Sequence, residues 1–219
     1  MKNTKQRSPE KIGATTRNGG RRPRRPAAET RLDILNTAER LFCDRGYQQV
    51  TMADIAMTLH MSPANVFKHF HSKIDLVDAI ISSHLEKKLQ AISHINLTCS
   101  PQKKLFQVAE ILLINFREDV AKNPHLFEMV IFIANMELKA ITLYRDGLIA
   151  IIKSVIDEGV DKGDFFVRDT HHAAQTALCA LEGVFNPITI AREKPDTLLA
   201  RCHDIVDLII TALQNPLAK

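Results

Sequence analysis

An all-α fold is what this 219-residue sequence predicts, arranged as an N-terminal three-helix helix-turn-helix domain and a larger helical C-terminal domain. Three observations carry that expectation. Apolar residues recur three and four positions apart along most of the chain, almost no stretch keeps the strict alternation of a half-buried strand, and the starts of segments are marked by capping residues and prolines. A hydrophobic content of 45% with 25% charged residues belongs to a globular chain with a substantial core.

Residues 1–25 are rich in Arg, Lys, Gly, Thr and Asn and offer almost nothing to bury, so they are expected to form a disordered basic arm. Residues 1–26 hold nine Lys and Arg against Glu10 alone, a net +8 that leaves −4 for the rest of the chain. Basic blocks of this kind are commonly solvated tails, and their usual partner is a polyanion whose condensed counterions they release. Within it "GGRRPRRP" (residues 19–26) alternates Arg with Pro and stays extended, so that Arg21, Arg22, Arg24 and Arg25 can lie in a narrow A·T-rich minor groove or act as a diffuse tether.

From Pro26 the pattern turns helical. Leu32, Leu35, Ala38, Leu41 and Phe42 share one face, Pro26 suits a first turn, and Gly46 suits a left-handed stop. Thr51 to His60, Pro63 to Phe70 and Lys73 to about Ile95 follow. Thr51-x-x-Asp54 and Ser72-x-x-Asp75 approach capping boxes, and Ser62-Pro63 offers a side-chain cap with a proline at the first helical position. Each cap is worth ~1 kcal/mol, enough to set register in helices too short to stand alone. Ile55, Ala56 and Leu59 would pack on Val66 and Phe70 and on the first helix. The segment from Pro63 then divides, with Val66 and Phe70 inward and Pro63, Ala64, Asn65, Phe67, Lys68 and His69 outward.

A corner this tight fits either an ordinary helical hairpin or a motif whose second helix enters the major groove of double-stranded DNA. The exposed aromatic Phe67 beside a cation favours the second, since a ring can pack on sugar or a thymine methyl while Asn65 bonds base edges. Lys73 opposes the dipole of the helix it opens unless backbone amides there hold a phosphate. Residues 27–75 carry five Lys and Arg against six Asp and Glu, so the arm would supply most of the nonspecific attraction.

The stretch from Thr30 to Ile80, "TRLDILNTAERLFCDRGYQQVTMADIAMTLHMSPANVFKHFHSKIDLVDAI", resembles the N-terminal DNA-binding domain of the tetracycline-repressor (TetR) family of bacterial transcriptional regulators. The marks are the Ala-x-x-Leu-Phe…Gly-Tyr ending of the first helix, Thr51 with Ile55-Ala56, and Val66-Phe67-x-His69-Phe70-x-Ser72-Lys73. The resemblance implies that Pro63, Ala64, Asn65 and Phe67 face bases while Thr51, Lys68, His69 and Lys73 hold phosphates. His60 stands where the family usually has Gly. Phe67 replaces a usual Tyr, which removes a hydroxyl that often bonds phosphate.

Beyond "NLTCSP" the expected helices run from Gln102 to Lys122, from Pro124 to about Met136, on to Val160, from Thr170 to Phe185, and from Pro195 onward. "AEILLINF" (residues 109–116) is apolar around most of a turn, and Asn115 interrupts it. Asn115, Met129, Phe132, Met136, Tyr144 and Phe185 could line an effector pocket, although aromatic and Met residues at helical spacing also make plain core. Ala173, Ala177, Ala180 and Gly183 offer a small-residue face, and Leu198, Leu199, Cys202, Ile205, Val206, Ile209, Ala212 and Leu213 a broad apolar one. By the resemblance these last two helices form a four-helix dimer interface in an effector-binding and dimerisation domain spanning residues 81–219, after a DNA-binding domain of residues 26–80. Independently, one helix-turn-helix has few base contacts, and two-fold repetition is how such modules gain specificity.

The function expected is therefore a homodimeric, sequence-specific transcriptional regulator, a ligand-responsive repressor on a near-palindromic operator, with a small-molecule effector of unassigned identity. An architectural DNA-binding protein on the same scaffold without a small-molecule switch is the alternative. No Gly-rich phosphate loop, His-Glu-x-x-His pair or nucleophile elbow marks an enzyme, so no catalytic residue and no cofactor are expected. Four scattered cysteines, Cys43, Cys99, Cys179 and Cys202, read as reduced thiols, and neither His69-x-His71 nor His171-His172 has partners at metal-ligand spacing. The longest apolar run, Met129 to Ala134, is far short of the ~20 residues that span a bilayer, so no membrane partner and a cytoplasmic location are expected.

Overall fold

The computed structural model describes residues 26–93, 98–122 and 138–215, and within them all regular structure is helical. The basic arm with Arg21, Arg22, Arg24 and Arg25, and the expected helix from Pro124 to Met136, lie outside the described residues.

The N-terminal half opens with α1 (Ala27–Arg45), whose buried side is Ile34, Ala38, Leu41 and Phe42. Leu32, expected on that side, is 57% exposed. The 3-and-4 pattern admits two registers, and the one chosen sets Ile34 and Ala38 against the neighbouring helices. α1 stops at Gly46, where φ is +81° and ψ 147°. Positive φ was the expectation, but this ψ lies outside the left-handed helical region, in a region that glycine alone enters freely.

α2 (Met52–Thr58) begins with a complete capping box: the Asp54 amide donates to Thr51 Oγ1 at 3.2 Å and the Thr51 amide to Asp54 Oδ2 at 2.8 Å. It ends in a Schellman motif, in which the Met61 amide reaches Ala56 O at 3.0 Å and the His60 amide reaches Met57 O at 3.1 Å. His60 occupies the left-handed position of that motif with φ of 52°. The site where the resemblance expects glycine is thus a true left-handed corner, held by a residue with a Cβ at a cost of roughly 1–2 kcal/mol.

α3 (Pro63–His69) starts from Ser62, whose side chain makes no capping bond, contrary to the sequence expectation. The Asn65 amide that such a cap would serve turns instead to Ser62 O at 2.9 Å, the Val66 amide reaches the same oxygen at 3.4 Å, and Pro63 at the first position has no N–H to satisfy. α4 (Lys73–Ser93) has the expected reciprocal box, with the Ser72 amide on Asp75 Oδ2 and the Asp75 amide on Ser72 Oγ, both at 3.1 Å.

Ile34, Ala38, Phe42, Ile55, Val66 and Phe70 form the first core with the near half of α4. Complete burial of an aliphatic side chain such as Ile55 contributes ~1.5–3 kcal/mol. The second core gathers α5 (Pro101–Lys122), α6 (Lys139–Asp161), α7 (Thr170–Glu182), α8 (Pro187–Arg192) and α9 (Pro195–Gln214). The helix expected to run to Phe185 stops at Glu182, and the short α8 after it was not anticipated.

α4 belongs to both cores. Leu76, Val77, Ile80 and Ile81 lie in the first, Ile92 lies in the second, and Leu85 packs on each. α6 runs beside it so closely that a Cβ on Gly147 would fall 2.7 Å from Leu89 Cδ1. At the other end of this contact α6 has no capping side chain of its own, and the Ala140 amide donates to Asp78 Oδ1 of α4 at 2.9 Å. A carboxylate of the N-terminal half therefore caps a helix of the C-terminal half.

Candidate nucleic-acid interface

α3 is amphipathic in the expected sense. Val66 is fully buried and Phe70 is 2% exposed, whereas Pro63, Ala64, Phe67 and Lys68 face outward, with Phe67 at 44%. Asn65 and His69 are half-buried rather than fully outward. The Asn65 side-chain amide lies 3.7 Å from Met61 Sδ, a weak contact that leaves its oxygen and much of its donor capacity for another partner. His69 sits at the mouth of a groove of about 400 Å³ where the two halves meet, near Arg31, His71 and Lys139.

Thr51 and Lys73 are brought to one corner. The Thr51 hydroxyl donates to Asp54 Oδ2 at 2.6 Å, so its proton is already committed to the cap. These bonds from Thr51 hold the Asp54 carboxyl below the usual carboxylate range. The Lys73 ammonium stands 4.1 Å from the centroid of the Tyr47 ring and 5.9 Å from that of Phe42. Burial pushes Lys73 down from the ordinary lysine value and the Asp54 carboxylate pulls it back up. A cation held over an aromatic face loses little further entropy when an anion arrives, which is the property wanted of a phosphate contact.

Two residues here were missed in the sequence. Tyr47 aims Lys73, and Arg31 lays its guanidinium 4.2 Å from the Phe70 centroid, closing the back of α3. The Gly-Tyr pair was visible as a mark of the resemblance but says nothing of which cation it holds.

In the C-terminal half the structure places three of the six candidate effector residues; Met129, Phe132 and Met136 lie outside the described residues. Tyr144 is 8% exposed and Phe185 6%, both in the second core, and Asn115 is half-buried. Phe185 stacks on Phe116 at 5.5 Å between centroids. The amide nitrogen of Asn115 and the hydroxyl of Tyr144 are buried with no hydrogen-bond partner among the described residues. Burial pushes the Tyr144 phenol up to about 12, so it stays protonated.

The small-residue face of α7 divides. Ala177 and Ala174 pack inward, Ala173 is half-buried, and Ala180 and Gly183 with Cys179 are exposed. On α9, Leu198, Cys202, Val206 and Leu213 are buried, while Leu199 at 39%, Leu208 at 69% and Ala212 face solvent. On α7 Ala173 and Ala180 thus share an outer strip, and on α9 Leu208 and Ala212 do, with Leu199 on the opposite flank. All four cysteines are free thiols. Among the described residues no cluster of His, Cys, Asp or Glu could hold a metal ion, and no described helix is long and apolar enough to cross a membrane.

Residues 34–80 match the family described as bacterial regulatory proteins, tetR family, and residues 101–206 match the tetracyclin repressor-like C-terminal domain. The HTH-type transcriptional regulator TtgR of Pseudomonas putida is 32% identical over 103 residues, 44% of this chain and 49% of that protein, so the match spans about half of its length. The HTH-type transcriptional repressor BepR of Brucella suis is 24% identical over 208 residues, covering 90% of this chain and 97% of that one. Among solved structures, a putative transcriptional regulator from Saccharomonospora viridis in complex with choline superposes with a TM-score of 0.59 at 23% identity, over 82% of this chain and 96% of that one, and shares the fold.

Proposed function

The chain belongs to the tetR family of bacterial transcriptional regulators, DNA-binding proteins of the helix-turn-helix type, and from that premise we propose that it is a ligand-responsive repressor acting as a homodimer on a near-palindromic operator. The observation that carries this reading is the division of α3: Val66 and Phe70 lock it to the module while Pro63, Ala64, Phe67 and Lys68 are left to a partner. Asn65 and Phe67 read base edges; Lys68, His69 and Lys73 engage phosphates, joined by the exposed Thr51 when its hydroxyl turns from Asp54 to the DNA; and the arginines at 21, 22, 24 and 25 reach the minor groove or the backbone beside it.

Two copies join through the outer strips of α7 and α9, setting two α3 helices in successive major grooves about 34 Å apart. An effector held in the second core biases α4, which the two cores share, and the half-site spacing follows. The shift in DNA affinity equals the effector's preference for one state over the other. Footprinting on the DNA flanking the protein's own gene tests the core of this reading. Two protected half-sites about one helical turn apart are expected, and protection without sequence preference would favour an architectural role.

A further inference from the structure

Tyr144 is 92% buried by its 8% exposure, and its hydroxyl has no partner among the described residues; the same holds for the Asn115 amide nitrogen. A buried polar group left unpaired bears its full desolvation cost, and such orphans ask for an explanation. Nearby stands a third donor. The Lys88 side chain on α4 is 18% exposed, pairs with Asp119 of α5, and holds its ammonium 5.8 Å from the Phe116 centroid. Phe116 in turn stacks on Phe185.

The helices bring these groups to one level. Leu89, next to Lys88, touches α6 at Gly147, and Tyr144 lies one turn before that glycine. Asn115 and Phe116 are on α5 one turn before Asp119, the partner of Lys88. By this connectivity the hydroxyl and the amide N–H each lie about one helical turn from a contact of α4, the first from Gly147 against Leu89 and the second from Asp119 against Lys88, and the ammonium stands by the stacked rings. All three present hydrogens, and of the two carboxylates beside Lys88, Asp119 is paired with it and Glu118 acts on its charge from the same helix.

We propose that the effector is an apolar, ring-sized molecule carrying an oxygen acceptor, best an anionic carboxylate, received by Tyr144, Asn115 and Lys88 with its body against Phe116 and Phe185. This rests on the reading of the C-terminal helices as an effector site. The ligand makes its room by parting the Phe116–Phe185 stack and takes over Lys88 from Asp119. Because Lys88 is on α4, the exchange is felt on the helix that carries the DNA-binding half.

The test uses the full chain and four matched probes: 2-naphthoate, its methyl ester, 2-methylnaphthalene and 2-naphthylmethylammonium. Calorimetric titration is expected to rank the acid first, about tenfold or more above the hydrocarbon, with the ester between and the ammonium last. Tyr144→Phe should bring ester and hydrocarbon within about twofold of each other, and Lys88→Met should do the same for acid and ester. Without ligand, Tyr144→Phe should melt about 2–4 °C higher, because an orphaned hydroxyl has gone; a merely structural tyrosine would instead destabilise when truncated. Equal or tighter binding of the hydrocarbon or the ammonium, or no binding by any of the four, overturns the assignment.

Operator release separates the two readings. If the acid binds through Tyr144 and leaves DNA affinity unchanged, the assignment stands and the switch falls. Release by the ammonium with Tyr144→Phe indifferent keeps the switch and removes the assignment.

Discussion

The Lys73 ammonium rests 4.1 Å from the centre of the Tyr47 ring, so the cation at the start of α4 is oriented by the loop that follows α1. Lys73→Ala should weaken binding to all DNA sequences alike and reduce the salt slope by about 1. Tyr47→Leu keeps the charge and loses its seat; a loss of ~0.5–1 kcal/mol in DNA affinity with the salt slope unchanged is expected. Affinity measured across a salt series distinguishes the two variants, and an unaltered affinity in both would remove Lys73 from the interface.

Asn65 is proposed to contribute differently, as a reader of sequence. Its side chain makes one long contact to Met61 Sδ at 3.7 Å, so Asn65→Ala should cost the fold almost nothing. Discrimination at one base position should fall by ~1–3 kcal/mol while affinity for unrelated DNA stays as it was. Competition with single-base operator variants reads this directly.

His60 holds a left-handed conformation with φ of 52°. His60→Gly should relieve ~1 kcal/mol, net of the extra freedom glycine gives the unfolded chain. For a chain of this size that is a rise of about 2–4 °C in Tm. His60→Ala keeps the Cβ and should bring no gain, so the pair of variants isolates backbone strain from any role of the imidazole.

Asp78 caps α6 across the boundary between the halves. Asp78→Ala should cost ~1 kcal/mol in stability, the usual value of a cap. If the cap also transmits the effector signal, the effector's fold-change in DNA affinity will shrink while intrinsic operator affinity is kept. Gel-shift titrations with and without the naphthoate probe measure both quantities in one series.

Burial pushes the Lys88 ammonium down to about 8, against the pull of the Glu118 carboxylate. The folded value is depressed below the unfolded one, so between about pH 8 and 10.5 the unfolded chain binds more protons and the folded state gains stability as pH rises. After allowing for solvent screening, the gain is ~1–2 kcal/mol. It should vanish in Lys88→Met. Denaturant melts of both proteins across that window provide the comparison, and parallel pH curves would show that Lys88 is not desolvated.

How much of this was legible in the residues depends on the range of the physics. Thr51-x-x-Asp54 and Ser72-x-x-Asp75 are local chemistry, and both boxes form as written. The inward pair Val66 and Phe70 follows from spacing alone. Ser62 makes no side-chain cap because the Asn65 amide it would serve is already taken by the Ser62 carbonyl. Leu32 was assigned inward because periodicity fixes a stripe only to within one residue, and the crossing partner chooses Ile34. α8, with six residues, is too short to show a period. In the site, Asn115 stood out as a polar residue in an apolar run, but Lys88 in "LEKKLQ" looks like any solvated lysine. Only the packing of α4 on α5 makes it a buried donor, just as only the loop path makes Tyr47 the seat of Lys73.

Since α4 furnishes side chains to two interiors at once, the DNA-reading half is not a portable module. Severed after residue 93 and grafted onto a foreign body, it would carry Leu85, Leu89 and Ile92 bare along one flank and Asp78 with no amide to receive. Functional chimaeras of this protein will have to import α6 together with the first four helices, or be given a surface shaped to replace it.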